Sequence, residues 1–395
     1  MSGTILALNV GSSSIKFAAY PAAGDAAAVL SGAITGIGGS ARLETGDPAA
    51  AARFGEIDVG EDHGELIPRL LSWLADDLAA HPPVAVGHRV VHGGPELDRP
   101  VLIDNDVLET LQALAPLAPR HQPGNLAGVR AVAATRPDLP QVACFDTAFH
   151  RSMSRVARLF ALPRHLSDEG MVRYGFHGLS YEYIASELPS HCPNHAEGRV
   201  IVAHLGHGAS LCAMRERRSV GTTMGFTALD GLVMGKRPGA LDPGVVLHLM
   251  QQKGMSVDEV SDLLNYRSGL LGVSGLSDDM QVLLDSGDPR AGEAVDLFVY
   301  RAVWEIGALT AAAGGLDALV FTAGIGEKSA AVRGRICEGL AWLGLSLDPA
   351  ANSADAHRIS SADSAVEVLV IPTDEERVIA RHTRALCASG DAATR

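Results

Sequence analysis

Three glycine-containing turns could bring backbone N–H groups close to an anion. They lie in ALNVGSSSIKF at 7–17, in HLGHGAS at 204–210 and in VFTAGIGEK at 320–328, and each follows an apolar run typical of a buried strand. Small residues let N–H groups and hydroxyls approach a ligand closely. The first turn does not match the GxxxxGK[ST] pattern of a P-loop, and a second extended run, IKFAAY, follows it. Taken alone, this turn is most simply a polar hairpin turn.

Two of the turns belong to an internal repeat. ILALNVGSSSIKFAAY at 5–20 resembles VIVAHLGHGASLCAMR at 200–215, with Asn9 opposite His204 and Gly11 opposite Gly206. The third turn would present backbone donors where a helix begins. Three such units in one chain favour a duplicated fold that holds a polyanion between two related domains.

Three charged residues occupy unusual places. Arg89 lies among valines in VAVGHRVVHGG, and Asp146 ends the apolar run QVACFD. A buried arginine needs an anionic partner, so Arg89 either pairs with a carboxylate such as Asp146 or meets an anionic ligand. Arg237 lies in the glycine-rich stretch MGKRPGALDPG, which suits a guanidinium that reaches a ligand.

Several histidines lie in or beside turns that follow apolar runs. None has HExxH or another compact metal-ligand spacing. Each by itself is most simply a core or surface residue whose ring is satisfied by its neighbours. Together with two arginines and three glycine turns, they suit hydrogen-bond donors around a phosphoryl group. These histidines are His88, His92, His121, His150, His177, His204 and His207.

Length, composition and charge narrow the class of protein. A chain of 395 residues with 47% hydrophobic residues is sufficient for two domains. A net charge of −14 argues against a nucleic-acid partner or an anionic membrane surface. No apolar run reaches the length of a membrane span. Five cysteines without CxxC spacing indicate neither a zinc site nor a disulfide framework. We therefore expect a soluble cytoplasmic protein.

Strand-like runs alternate with helical patterns, and that mixture predicts an α/β protein. The runs LALNV, VAVGHRVV, QVACFD, VIVAHL, ALVFTAG and VEVLVIP indicate strands, whereas LIPRLLSWLADDL, AVDLFVYRAVWEIGAL and EERVIARHTRALC indicate helices. Because the second hairpin begins near residue 198, we place the domain division near residue 150. The first domain would comprise 1–150 with a returning C-terminal helix at 374–395, and the second domain 151–373.

The sequence resembles the acetate kinase family, which includes acetate and propionate kinases. The resemblance rests on LNVGSSSIKF, GHRVVHGG, CFDTAFH, RYGFHGLSYEYIA, HLGHGAS, TTMGFTALDGLVMGKRPGALDPG, FTAGIGEKS and IPTDEERVIARHT, in this order over nearly the whole chain. It implies a duplicated RNase H-like, actin-like α/β fold of two domains with a nucleotide cleft between them. It also implies a homodimer that transfers the ATP γ-phosphoryl group to acetate, giving acetyl phosphate and ADP. The implied reaction is reversible, in line and Mg²⁺-dependent, with Mn²⁺ as an alternative metal.

The family pattern assigns catalytic roles to residues at matching positions. Arg89 would hold the substrate carboxylate. Asp146 would be the catalytic acid, although it could instead orient Arg89 or a metal-bound water. His177 and Arg237 would stabilise the transferring phosphoryl group, which spreads charge over three equatorial oxygens.

The same pattern assigns residues that bind the substrate, the metal and the nucleotide. Val91 and Phe176 would surround the acyl methyl group, and Asn9 and Glu375 would hold the metal. His121, which the pattern also counts among the catalytic residues, and His204 would line the phosphoryl channel. The remaining matches, for the nucleotide and its phosphates, are Lys16, His204, Leu205, Gly206, His207, Gly208, Asp279, Met280, Gln281, Gly324, Ile325, Gly326, Glu327 and Lys328.

Some positions depart from the family pattern. In the nucleotide loops, His207, Gln281 and Lys328 replace the usual Asn, Arg and Asn. Near the acyl pocket, Arg120 replaces Leu and Ala228 replaces Pro, and Tyr181 stands where His is common. These changes leave open a propionate or other short-chain acyl kinase and a pyrophosphate-using relative. A catalytically silent nucleotide-binding regulator is the alternative from outside the enzymes.

Overall fold

The computed structural model describes residues 3–11, 14–119 and 121–393, with side chains described up to residue 388. Its strands are β1 (Thr4–Val10), β2 (Ser14–Pro21), β3 (Leu30–Thr35), β4 (Arg42–Thr45), β5 (Pro83–Val90), β6 (Val101–Leu102), β7 (Gln141–Phe145), β8 (Arg199–Leu205), β9 (Ala209–Arg215), β10 (Arg218–Thr222), β11 (Ala318–Thr322) and β12 (Glu367–Val370).

Helices occupy much of the remaining chain. They are α1 (Pro48–Phe54), α2 (His63–Asp77), α3 (Asn105–Ala113), α4 (Gln122–Thr135), α5 (Arg155–Arg158), α6 (Arg164–Asp168), α7 (Gly178–His191), α8 (Pro243–Gln251), α9 (Val257–Tyr266), α10 (Gly269–Ser274), α11 (Met280–Leu284), α12 (Pro289–Ala313), α13 (Ala323–Lys328), α14 (Ala330–Gly339), α15 (Pro349–Ser353) and α16 (Glu375–Ala393). Short 3-10 turns cover Ala115–Leu117, Ala148–Ser152 and Ala341–Leu343.

The chain divides into two compact units. The first comprises the residues up to Ala148 and those from Asp374 onward, and the second comprises Phe149–Thr373. The sheet of the first unit has the order β4-β3-β2-β1-β5-β7-β6. The sheet of the second unit has the order β10-β9-β8-β11-β12.

The two sheets repeat one strand pattern. In the first, β3, β2 and β1 are antiparallel neighbours, and β5 and β7 continue the sheet parallel to β1. In the second, β10, β9 and β8 are antiparallel neighbours, and β11 and β12 continue it parallel to β8. The hairpins β1–β2 and β8–β9 are the two copies of the sequence repeat. The predicted α/β fold and its duplication are therefore confirmed.

In the first unit, α2 packs its apolar face on the sheet. A capping box starts the helix, because Asp62 and Glu65 each accept a hydrogen bond from the other's backbone N–H. Leu70 is fully buried, and Trp73 meets Phe17 of β2 edge-on, with ring centroids 5.8 Å apart. Each fully buried large apolar side chain contributes about 1.5–3 kcal/mol. This packing fixes the β1–β2 hairpin.

The C-terminal helix α16 returns to the first unit and packs on β5, β1 and β7. Gly87 of β5 permits this close approach, because a Cβ there would lie 2.2 Å from Oγ1 of Thr383 and 2.4 Å from Cγ2 of Ile379. The packing places Glu375 and Glu376, the first residues of α16, in the first unit.

In the second unit, α7 packs against β8. Tyr181, Ile184 and Leu188 share a buried cluster with Val200 and Val202. This cluster fixes the start of α7 relative to the β8–β9 hairpin. Within the described residues, no helix is both long enough and apolar enough to span a bilayer.

Candidate active site

Three neighbouring parallel strands bring Asn9, Arg89 and Asp146 together. β5 lies between β1 and β7 in the sheet. Asn9 and Arg89 are the penultimate residues of β1 and β5, and Asp146 directly follows β7. Because the carboxyl ends of parallel strands meet at one edge of a sheet, ligands commonly bind there.

Arg89 forms a two-point ion pair with Asp146. Nε donates to Oδ1 at 3.0 Å and Nη2 donates to Oδ2 at 2.5 Å, while Nη1 donates to Oδ1 of Asn9 at 3.2 Å. A guanidinium has five N–H donors. These contacts use one hydrogen on each of its three nitrogens, so the second hydrogens of Nη1 and Nη2 suit a ligand carboxylate. The ion pair that the sequence allowed is therefore present, and it leaves donors on Arg89.

Carboxylates outnumber cations around Arg89. Nδ2 of Asn9 donates to Oε1 of Glu376 at 3.4 Å. Burial raises the pKa of Glu375, and although Arg89 lowers it, repulsion from Asp146 and Glu376 raises it further. The net shift is upward. The pKa of Arg89 is raised as well, because its attraction to the carboxylates exceeds the opposing effect of burial. This edge of the first unit is thus short of positive charge.

This acidic edge offers ligands suited to Mg²⁺. Within the described residues, no group of three or more His, Cys, Asp or Glu residues is arranged as a metal centre. Mg²⁺ usually keeps several waters and takes only one or two protein carboxylates together with substrate phosphates. The side chains of Asn9, Glu375 and Glu376 supply hard oxygen ligands. A bound dication would also favour ionisation of Glu375, whose pKa is raised, so the residues fit such an ion.

The other predicted residues of the first unit lie on different elements. Lys16 is exposed on β2 and pairs with Asn9 in the strand register. Val91 is buried, and its backbone N–H donates to Oδ1 of Asn125 at 3.0 Å. His121 precedes the first residue of α4 as its N-cap. Arg120, Ser12 and Ser13 lie outside the described residues.

In the second unit, His177 is held at the start of α7. Its Nδ1 lies 2.8 Å from Oγ of Ser210 on β9. Its ring stacks on His204 of β8, with centroids 4.2 Å apart and planes 17° apart. Nδ1 of His204 lies 2.9 Å from Oγ of Ser180. The backbone of His177 has a φ of 57°, a left-handed conformation that is uncommon for a residue other than glycine and is frequent at functional sites.

Arg237 and His177 converge on Gly208. A Cβ built on Gly208 would lie 2.8 Å from Nη2 of Arg237 and 3.3 Å from Nε2 of His177. Nη1 of Arg237 donates to the carbonyl oxygen of Ala228 at 2.7 Å. A guanidinium and an imidazole thus meet beside a backbone segment without a side chain, an arrangement suited to an anion.

A cluster of three ionisable side chains, those of His207, Lys236 and Asp278, joins the loops that carry them. Nε2 of His207 lies 2.8 Å from Oδ2 of Asp278, and Nζ of Lys236 lies 3.3 Å from the same oxygen. These two partners lower the pKa of Asp278 despite its partial burial, which acts in the opposite direction. The three residues link the hairpin turn, the Arg237 loop and the start of α11.

The predicted nucleotide residues at 279–281 point in different directions. Asp279 is the N-cap of α11 and accepts a hydrogen bond from the N–H of Val282. Met280 is buried. Nε2 of Gln281 donates to both carboxylate oxygens of Asp285, at 3.0 and 3.1 Å. Gln281 is therefore engaged with its own helix.

Around α13, Glu327 supports the backbone. Its Oε1 accepts from the N–H of Ala323 at 2.8 Å and from that of Thr373 at 3.3 Å. Gly324 and Lys328 are exposed, whereas Gly326 is buried near β8, where a Cβ would lie 3.5 Å from the carbonyl oxygen of Ala203.

The buried Arg333 of α14 supports the same segment. Its Nη1 donates to the carbonyl oxygens of Gly326 and Glu327, at 3.0 and 2.7 Å. Its Nε and Nη2 donate to Asn352, and Nη2 also donates to Asp355 at 2.5 Å. A single buried guanidinium therefore joins the end of α13 to α15.

The structure adds residues that the sequence reasoning missed. Glu376 follows Glu375 in TDEER, and Ser210 ends the repeated HLGHGAS segment, so both stood within recognised motifs. Asp278 likewise precedes Asp279. Nothing in the local sequence distinguishes Arg333 from an exposed helical arginine, because its partners lie in α13, in α15 and at Asp355, just after α15.

The chain is similar to known proteins over nearly its whole length. Residues 4–381 match the acetokinase family model. The acetate kinase of Rhodopseudomonas palustris (strain ATCC BAA-98 / CGA009) is 52% identical over 397 residues, covering 99% of this chain and 100% of that protein. A propionate kinase structure from Francisella tularensis aligns with a TM-score of 0.89 and 36% identity, covering 97% of this chain and 100% of that chain. The acetate kinase structure of Porphyromonas gingivalis aligns with a TM-score of 0.85 and 34% identity, covering 98% and 100%.

Proposed function

The chain belongs to the acetokinase family, and we propose that Arg89 holds the carboxylate that the enzyme phosphorylates. The activity is that of an acetate kinase, which transfers a phosphoryl group between ATP and acetate. The products in one direction are acetyl phosphate and ADP. We propose that the transfer is direct, in line and reversible.

The ion pair between Arg89 and Asp146 carries the proposal for the acceptor site. Acetate is already ionised at pH 7, so it needs positioning and relief from repulsion more than it needs a base. Arg89 can supply both, since two of its N–H groups remain after Asp146 and Asn9 are bonded. Asp146 bonds to Arg89 through both oxygens, which supports a role in orienting the guanidinium rather than in moving a proton.

The group around Gly208 supports the phosphoryl site. Nη2 of Arg237 and Nε2 of His177 both approach the turn between β8 and β9. Two such donors can stabilise charge that develops on the equatorial oxygens of a phosphoryl group. We assign His204 to the support of His177, because the two rings stack.

Mg²⁺, with Mn²⁺ as the alternative, would be held by Asn9 and Glu375 and would neutralise charge on the nucleotide phosphates when bound. Lys16 pairs with Asn9 in the β1–β2 register, and we assign its ammonium group to the same phosphates. Glu376 bonds to Asn9 and would keep its amide oriented.

We assign the nucleotide to the turn at 204–208 and to the segments 279–281 and 324–328. Gly324 gives a specific test, because a Cβ there meets no atom within 4 Å and a helical alanine is not strained. Gly324→Ala should therefore not lower thermal stability, whereas it should raise the KM for ATP, measured by steady-state kinetics. An unchanged KM for ATP would move the nucleotide away from α13.

Propionate is the second acceptor that we propose. The propionate kinase of Francisella tularensis is similar over nearly the whole chain. The carbonyl oxygen of Ala228 accepts a hydrogen bond from Nη1 of Arg237. The Ala228 side chain is smaller than that of the Pro usual in the family. The test is to measure kcat/KM for acetate and for propionate in the parent and in Ala228→Pro. If the ratio of the two values is the same in both proteins, Ala228 does not select the acceptor.

We propose that the enzyme is a cytoplasmic homodimer and that α8 lies in its interface. This helix, PGVVLHLMQ, has no buried residue, and its Leu247 is 54% exposed. An apolar helix normally buries one face, and a second copy of the chain would cover this one. Leu247→Glu should shift the mass measured by light scattering from dimer to monomer, whereas a parent monomer would exclude the interface.

All five cysteines are buried and none forms a disulfide, which suits the proposed cytoplasmic, reducing compartment.

The activity is tested by incubating the purified protein with acetate, Mg-ATP and hydroxylamine and measuring acetyl hydroxamate. We expect signal from the parent and a loss of about 10²–10³ in rate in Arg237→Ala. Reactions without acetate or without enzyme are the controls. Folded protein that binds ATP but gives no acyl phosphate would instead indicate a silent nucleotide-binding protein. Replacing ATP with pyrophosphate in the same assay tests whether pyrophosphate is the phosphoryl donor instead.

A further inference from the structure

A buried hydrogen-bond chain leads from Tyr181 to His177. Oγ of Ser210 lies 2.5 Å from Oη of Tyr181 and 2.8 Å from Nδ1 of His177. Ser210 and Tyr181 are both fully buried. Buried hydroxyl groups are expected to make hydrogen bonds, and these two do so with each other and with the imidazole.

The fold explains why these three groups meet. Tyr181 lies one helical turn after His177, on the same face of α7, and its backbone N–H donates to the carbonyl oxygen of His177 at 3.1 Å. Ser210 pairs with His204 in the β8–β9 register, directly behind the stacked ring. The start of α7 therefore supplies both ends of the chain, and the hairpin supplies the serine between them.

The direction of donation along this chain decides the form of the imidazole. A hydroxyl donates one hydrogen bond and accepts two, and a neutral imidazole has one donor and one acceptor nitrogen. If the phenol donates to Oγ of Ser210, the Ser210 hydroxyl donates to Nδ1 of His177. Nδ1 is then the acceptor and Nε2 carries the proton.

We propose that Tyr181 and Ser210 are positioning residues that hold His177 as its Nε2–H tautomer, with that N–H directed at the phosphoryl group. The inference rests on the proposed role of His177. Nε2 is the ring nitrogen that approaches Gly208 and the Nη2 atom of Arg237. The tautomer therefore decides whether the nitrogen facing the anion is a donor or a lone pair, which an anion would repel.

Stacking fixes the remaining freedom of the ring. A 180° flip of the imidazole would keep the stack on His204 but would replace Nδ1 by a carbon opposite Ser210, so the hydroxyl would lose its acceptor. His204 is in turn anchored through Nδ1 to Ser180. Stacking thus sets the plane of the His177 ring, and the Tyr181–Ser210 chain selects its orientation and tautomer.

Two deletions of single hydroxyls test the proposal. Tyr181→Phe and Ser210→Ala remove one oxygen each, and both should lower kcat by about 10- to 100-fold, since small errors in the placement of a reacting group cost this much. The KM for ATP should stay within about two-fold, because the interaction is made in the transition state. Ser186→Ala, which changes an exposed serine on the same helix, is the matched control and should behave like the parent.

A spectroscopic readout separates positioning from loss of structure. Side-chain ¹⁵N shifts of the protein labelled at histidine report the tautomer of each ring, and His177→Gln identifies the His177 signals. The parent should show a protonated Nε2 and an acceptor Nδ1, and both deletions should give a mixture of tautomers. A parent with a protonated Nδ1, or deletions with unchanged kcat, would overturn the proposal. Activity retained by His177→Gln would instead remove His177 from the proposed site.

Discussion

The guanidinium of Arg89 and the carboxylate of Asp146 form an ion pair through two nitrogens and two oxygens, although 57 residues separate them in the chain. The Asp146 side chain is 1% exposed and that of Arg89 is 18% exposed. The arginine therefore has two tasks: it neutralises a buried carboxylate, and it faces the edge of the sheet where acetate is proposed to bind. These tasks can be separated by mutation.

Arg89→Met should reduce both stability and activity. Removing one member of a buried ion pair costs about 3–5 kcal/mol, because the other charge is left without a partner. The double variant Arg89→Met/Asp146→Asn should regain most of this stability, since neither charge of the pair is left without its partner. Its kcat/KM for acetate should nevertheless stay about 10²–10³ below the parent. Chemical unfolding and the hydroxamate assay measure the two effects, and activity restored in the double variant would show that Arg89 does not hold the substrate.

Gly208→Ala should affect activity much more than stability. The new Cβ would lie within 2.8 Å of Nη2 of Arg237, which is the movable end of a long side chain. Arg237 would then move away while the backbone keeps its conformation, and kcat should fall by about 10- to 100-fold. Gly292→Ala, at an exposed helical position with no atom within 4 Å of the added Cβ, is the control. A Gly208→Ala enzyme with the parent kcat would place the phosphoryl group elsewhere.

Arg333→Lys should weaken nucleotide binding. A lysine cannot bridge the carbonyl oxygens of α13 and the Asn352 side chain at the same time, because it lacks the planar fork of arginine. We expect the KM for ATP to rise by about five- to ten-fold, while the KM for acetate changes little. The control is Arg335→Met on the same helix, which removes only an exposed ion pair with Asp296 and should be nearly neutral. Equal changes in both KM values would indicate general loosening of the second unit instead.

The stability of the protein should fall between pH 6.5 and pH 4. Burial lowers the pKa of His150 to about 4, although its hydrogen bond to the carbonyl oxygen of Phe176 opposes the shift. Burial likewise lowers the pKa of His88 to about 4. Because the unfolded chain binds protons at these two histidines more readily than the folded protein does, their contribution to stability is complete above pH 6.5 and is lost as the pH falls. Each histidine contributes roughly 3 kcal/mol to this loss.

The variant His150→Gln isolates one of these two contributions. Its amide can donate to the Phe176 carbonyl but has no proton to gain in this range. The free energy of unfolding, measured by urea titration at several pH values, should therefore depend less steeply on pH than in the parent. Parallel curves for the two proteins would show that folding does not lower the pKa of His150.

The sequence by itself determined the class of fold and indicated most of the residues proposed for the sites. Apolar runs next to amphipathic runs indicate an α/β protein because burial imposes periods of two residues on strands and 3.6 on helices. The repeat of two hairpins predicted the duplication that the two sheets show. A charged residue such as Arg89 within an apolar strand indicated a buried partner or a ligand, since burial of an unpaired charge is too costly.

Only the tertiary structure decided which groups meet. Asp146 reaches Arg89 because β7 lies next to β5, and Ser210 reaches His177 because the start of α7 lies on the β8–β9 hairpin. The same holds for Glu327, which the sequence assigned to the nucleotide and the structure bonds to the N–H groups of Ala323 and Thr373. Local sequence patterns record burial and period, whereas hydrogen-bond partners depend on strand order and register between distant segments, which no local pattern contains.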